Sequence, residues 1–121
     1  MQSVVIRKIE PKDNIEVAKI VRLVFEELGV PKVGTAYADK ELDKMYEAYK
    51  AIPNGDFYVI EEEGKLIGCA GVSPLANFQG NVCELQKMYF LPQARGRGLG
   101  KKLIEVCLDQ AKAYGFESCY L

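Results

Sequence analysis

Apolar and polar residues alternate through SVVIRKI, residues 3–9, and this predicts an opening strand. Asp13 stands where a helix cap belongs, and Glu16 three residues later completes a capping-box-like pair. Val17, Ile20, Val21, Val24 and Leu28 follow at helical spacing, so one face is apolar, and Gly29 and Pro31 stop the helix. A second helix is expected from Asp39 to about Ile52, with a stripe of Leu42, Met45, Tyr46 and Tyr49 and Pro53 as its end. GDFYVIEEEGKLIGCAGVSPL then reads as strand, turn at Glu63-Gly64, and strand, an antiparallel hairpin. Gly68 and Gly71 are unusual inside a strand and predict a bulge or the close approach of another chain or a ligand. VCELQKMYFL is a further strand, closed by Pro92. From about Gly98 to Tyr114 the pattern is helical again. Leu99, Leu103, Cys107 and Ala111 share one side, with Ile104 and Leu108 beside them, and Lys101, Glu105, Asp109 and Lys112 share the other. Gly115 ends this helix, and FESCYL is a last strand. The order predicts a three-layer α/β (α+β) domain: an antiparallel meander followed by a strand-helix-strand unit that adds a parallel pair to a mixed sheet.

Composition narrows the function classes. With 121 residues, 49% of them hydrophobic and 27% charged, the chain is expected to be one globular domain with a real core. A net charge of −1 argues against a dedicated nucleic-acid binder. No apolar run is long enough to span a membrane, and MQSVVIRKIEPKD lacks a signal-peptide core, so a cytoplasmic location without membrane partners is expected. There are four cysteines and no histidine. A Cys-His nucleophile is therefore impossible, and the scattered Cys69, Cys83, Cys107 and Cys119 do not have zinc-site spacing. They read as small buried apolar residues in a reducing compartment, and no metal is expected.

The chemistry concentrates in MYFLPQARGRGLGKKLIEV, residues 88–106. Glycines at 96, 98 and 100 lie between a strand and a helix start, with Arg95, Arg97, Lys101 and Lys102 around them. A helix N-terminus offers unpaired N–H groups and the positive end of the dipole, so an anion, above all phosphate, is the natural guest. A Walker A loop would need glycine at 95 and Ser or Thr at 102, where Arg95 and Lys102 stand; the dinucleotide fingerprint would need glycine at 101, where Lys101 stands. An RGG-type RNA-binding scrap would be repetitive and disordered, whereas this loop is flanked by regular elements. A nucleic-acid contact through the Arg95–Lys102 patch would show steeply salt-dependent binding.

Gln93-x-x-Gly96-x-Gly98 resembles the Q/R-x-x-G-x-G/A signature of the GNAT N-acetyltransferase superfamily, and ELQKMYFLPQARGRGLGKKLIE is similar to that family's fourth strand, pyrophosphate loop and third helix. The likeness covers nearly the whole chain. It implies an acetyl-CoA-dependent N-acetyltransferase acting through a ternary complex, with acetyl-CoA as cosubstrate. The pyrophosphate would lie on the backbone of Arg95, Gly96, Arg97, Gly98, Leu99, Gly100 and Lys101. The pantetheine arm would pair with Met88, Tyr89 and Phe90, and a backbone N–H of that strand would polarise the thioester carbonyl. The side chains of Met88 and Phe90 are expected in the core. Glu84 occupies the place of the family's general base, though an ordinary exposed strand carboxylate is the competing reading. Glu61, Glu62 and Glu63 read as a solvated hairpin tip. Glu26, Glu27, Asp39 and Glu41 would either attract a cationic acceptor or form a wet helix face.

The resemblance implies an amine acceptor, either a small molecule or a protein amino group, and a possible homodimer. Family members usually continue past the fifth strand with a helix and two strands that supply a tyrosine acid. Leu121 falls at or just after that strand, so either a partner chain completes the fold or, as is favoured, the chain is a C-terminally incomplete piece of a longer protein. Tyr120 is not assigned the acid's role. The alternative to an enzyme is a non-catalytic acyl-CoA-binding or regulatory module that keeps the loop without a working base.

Overall fold

The computed structural model describes residues 3–29, 40–75 and 81–120. Strands β1 (Val4–Lys8), β2 (Asp56–Glu62), β3 (Lys65–Pro74), β4 (Val82–Phe90) and β5 (Ser118–Tyr120) form one sheet in the order β1-β2-β3-β4-β5. The first three junctions are antiparallel and β4–β5 is parallel. Helices α1 (Asn14–Leu28) and α2 (Met45–Lys50) cover one face, where Val17, Val21, Leu42, Met45, Tyr49, Phe57 and Val59 pack. Helix α3 (Leu99–Ala113) covers the other, where Leu103 and Cys107 meet Ile60, Ala70 and Val72. This is the mixed three-layer arrangement that the residue pattern predicts.

The hairpin turns at Glu63 and Gly64, both with positive φ (51° and 84°), as a tight connection between right-twisted strands requires. Gly68 and Gly71 mark close approaches within the chain. A Cβ on Gly68 would lie 2.8 Å from the Phe90 ring, and one on Gly71 would lie 2.7 Å from the Tyr49 ring. The bulge beside them belongs to β4. Cys69 pairs with Tyr89 and Gly71 with Gln86, so Lys87 and Met88 together face Ala70, and Lys87 takes φ +51°.

Three local expectations are corrected. Asp13 and Glu16 form no capping box: no side chain caps α1. The Asp13 carboxylate instead accepts the Glu10 N–H (2.7 Å) and both arms of Arg7 (2.8 and 3.0 Å), while Glu16 accepts the Leu66 N–H (3.0 Å) and ties α1 to β3. Leu28 leaves the apolar face; burial along α1 ends at Phe25, and Leu28 is 65% exposed. The second helix is shorter than its stripe. A 3-10 turn, Lys40–Lys44, precedes α2, because Lys44 adopts non-helical angles (φ −138°, ψ 47°). Asn14 anchors this junction, accepting the Tyr46 N–H and donating to Glu47. Pro31 and Asp39 lie outside the described residues.

The Arg7–Asp13 pair makes stability depend on acid. Burial alone would raise the Asp13 pKa, but the hydrogen bonds from Arg7 and the Glu10 N–H outweigh it and hold the carboxyl below its usual range. A depressed native value stabilises the fold above the unfolded value of about 4 and is lost as pH falls through the native one. Asp13→Asn is expected to lower stability by about 2–4 kcal/mol, since it leaves Arg7 short of a partner. Denaturant melts between pH 3 and 7 should show that penalty shrinking toward the acid end.

Candidate functional site

After Phe90 the chain makes a 3-10 turn at Pro92–Ala94, passes Gly96 and Gly98, and enters α3. Gly96 and Gly98 take φ +73° and +74°, where a side chain is strained, yet a Cβ at either would meet nothing within 4 Å. Backbone shape demands these glycines, and they leave an open surface. The start of α3 lacks the usual acceptors. Its N-cap is Gly98, no side chain caps it, and its first turn holds no acidic residue but includes Lys101. The first helical bond runs from the Lys102 N–H to the Gly98 carbonyl (3.2 Å), so the N–H groups of Leu99, Gly100 and Lys101 have no intrahelical acceptor. Lysines beside a helix N-terminus oppose the dipole, and an anion would relieve both.

The arginines of the loop have another task. Arg95 forks onto both Glu27 oxygens (2.6 and 3.0 Å) and reaches the Phe90 carbonyl (2.8 Å). Arg97 forks onto both Glu62 oxygens and reaches the Gln93 carbonyl (3.0 Å). Hydrogen bonds from these guanidinium groups hold Glu27 and Glu62 below the usual carboxylate range. The loop is thus strapped to α1 on one side and to β2 on the other, while Lys101 and Lys102 stay exposed. Glu62 is therefore no part of a solvated tip, and Glu61 accepts from Arg7; only Glu63 remains exposed. Glu41 pairs with Lys87 (3.3 Å).

At the other end of β4, Glu84 is half-buried and pairs in register with Ser73 of β3 and Tyr120 of β5. Its Oε1 accepts from Gln86 Nε2 (2.6 Å), and Gln86 Oε1 accepts from the Tyr49 hydroxyl (2.6 Å). Sequence reasoning missed Tyr49 and Gln86 as site residues; the only trace of them was Gly71, whose missing side chain admits the Tyr49 ring. From Leu85 to Phe90, β4 has no partner on its β5 side among the described residues. Phe90 packs over Gly68 and Gly100, as expected of a core residue. Met88, on the bulge, does not; it is 39% exposed. Phe90 lies six residue steps beyond Glu84, roughly 20 Å of strand at about 3.3 Å per residue. Tyr120 is exposed. Burial pushes the thiols of Cys69, Cys83 and Cys107 up to about 12, so none is a ready nucleophile.

A family model described as acetyltransferase (GNAT) family matches residues 22–121, a span that holds the loop, β4 and Glu84. The chain belongs to that family. It is similar to the uncharacterised N-acetyltransferase YjgM of Escherichia coli (strain K12), with 42% identity over 99% of this chain and 72% of that protein. Its fold is similar to a GNAT family acetyltransferase from Brucella melitensis in complex with acetyl-CoA (TM-score 0.75, 26% identity, 97% of this chain and 73% of the other). It is also similar in fold to a GNAT family acetyltransferase from Staphylococcus aureus (TM-score 0.80, 18% identity, 94% and 69%). The protein is an acyltransferase of the N-acetyltransferase kind. Among the described residues no cluster of metal-ligating side chains occurs, and no helix is long and apolar enough to cross a membrane.

Proposed function

We propose that the chain transfers the acetyl group of acetyl-CoA to a primary amine in a direct ternary complex, with Glu84 as general base. One observation carries this reading: β4 holds an anchored carboxylate, Glu84, near one end and leads from its other end, Phe90, through the glycine loop into an uncapped, lysine-flanked helix start. The backbone of Arg95–Lys101 would hold the pyrophosphate of acetyl-CoA, and the free N–H groups of α3 would supply the donors. The pantetheine arm would run along the open edge of Met88–Phe90. Acetyl-CoA supplies the activated thioester. The bulge at Lys87–Met88 turns backbone N–H groups off the regular ladder, and one of them would polarise the thioester carbonyl. The Brucella melitensis relative, solved with acetyl-CoA, supports this choice of cosubstrate.

A primary amine is mostly protonated near neutral pH and must lose a proton before its nitrogen can attack. Glu84 takes that proton, directly or through a water. Among the described residues no donor reaches its Oε2, and that oxygen would take the proton. The acceptor is an amine of a small molecule or a protein.

Calorimetric titration with acetyl-CoA tests the reading. Binding at micromolar strength, about −8 kcal/mol, is expected. Heat indistinguishable from dilution up to millimolar acetyl-CoA would overturn it.

A further inference from the structure

Glu84 is held by a chain of two hydrogen bonds whose direction chemistry dictates. An ionised carboxylate can only accept, so the amide nitrogen of Gln86 must face Glu84 Oε1. The amide oxygen then faces Tyr49, and the Tyr49 hydroxyl must donate to it. Tyr49 is a firm anchor: it is 2% exposed, its ring lies 5.0 Å from that of Phe57, and it fills the space that the absent Cβ of Gly71 leaves. Helix α2 is docked in turn by Asn14 at its first turn. The chain therefore runs from the core beneath α2 to one oxygen of the carboxylate.

We infer that Tyr49 and Gln86 are positioning residues for acetyl transfer, fixing Glu84 by Oε1 so that Oε2 can take the proton. The inference rests on the reading of Glu84 as general base. Neither residue touches substrate; each acts through the carboxylate. A base displaced by about 1 Å loses roughly a hundredfold in rate, so removing a link should be visible in turnover and not in cosubstrate affinity.

The test needs no identified acceptor, because thiol release from acetyl-CoA reports acetyl transfer to any member of a panel of primary amines. Tyr49→Phe keeps the ring and its packing and is expected to lower kcat about tenfold; Gln86→Met, which removes both hydrogen bonds, is expected to lower it about thirtyfold. KM for acetyl-CoA should stay within about twofold in both. In a Glu84→Gln background neither change should lower the rate further, because the group they position is gone. Wild-type rates in Tyr49→Phe and Gln86→Met beside a slow Glu84→Gln would overturn the positioning role and leave the base standing. A wild-type rate in Glu84→Gln, or no thiol release by the unmodified chain across that panel of amines, would overturn the base and this inference with it. The side-chain amide resonance of Gln86 gives a second readout, independent of turnover. It should shift in both Tyr49→Phe and Glu84→Gln, and a resonance that ignores either change would show that the chain is not formed.

Discussion

Glu84→Gln should lower kcat for acetyl transfer about a hundredfold or more while leaving acetyl-CoA affinity unchanged. The substitution keeps the size and shape of the side chain. Its amide oxygen can still accept from Gln86 Nε2, and its place between Ser73 and Tyr120 in the sheet is undisturbed. What it removes is the capacity to take a proton, and a positioned base contributes roughly 10²–10⁴ in rate. The binding loop begins only beyond Phe90, about 20 Å along the strand from Glu84, too far to sense the change. The deficit should also depend on pH. An aliphatic amine has a pKa near 10, so the fraction already neutral rises tenfold with each pH unit below that value. The variant should therefore recover toward wild type as pH rises from 7 to 10. A constant deficit across that range would mean that Glu84 does something other than accept the amine's proton.

Gly98→Glu should abolish measurable acetyl-CoA binding. Two effects are combined in it and can be separated. A side chain at φ +74° costs about 1–2 kcal/mol of backbone strain, although no protein atom obstructs it. The carboxylate then stands at the mouth of the helix, where it repels phosphate and competes for the free N–H groups of α3. Gly98→Asn, which tolerates the left-handed conformation and carries no charge, is the control. Calorimetry should show a modest weakening for Asn and no binding for Glu. Equal losses in the two would mean that loop shape alone matters and that no anion sits at the helix start.

Much of this was legible in the order of residues because the signals were local. The turn at Glu63-Gly64, the buried stripe of Leu99, Leu103, Cys107 and Ala111, and the glycine loop ahead of α3 each lie within a short window. What stayed hidden depends on distant partners. Arg95 and Arg97 look like charges waiting for phosphate, but Glu27 and Glu62 occupy them from 68 and 35 residues away. Asp13 resembles a helix cap until Arg7 claims it. The bulge of β4 carries no glycine to announce it; Lys87 takes the positive φ itself. Tyr49 reads as one more apolar residue of a helical stripe, and only its contact with Gln86, 37 residues on, gives it a part in the site. Gly71 pointed to a bulge or to another chain or a ligand coming close, whereas what comes close is a ring of the same chain, Tyr49.

Acetyl transfer to an amine is decided by mass spectrometry of the products after the chain is incubated with acetyl-CoA and a panel of primary amines, from diamines and amino acids to lysine peptides. At least one amine should gain a single acetyl group on nitrogen, with one CoA thiol released per acetylated product. Tight acetyl-CoA binding with no acetylated amine across the panel would contradict it and leave an acyl-CoA-binding module in its place.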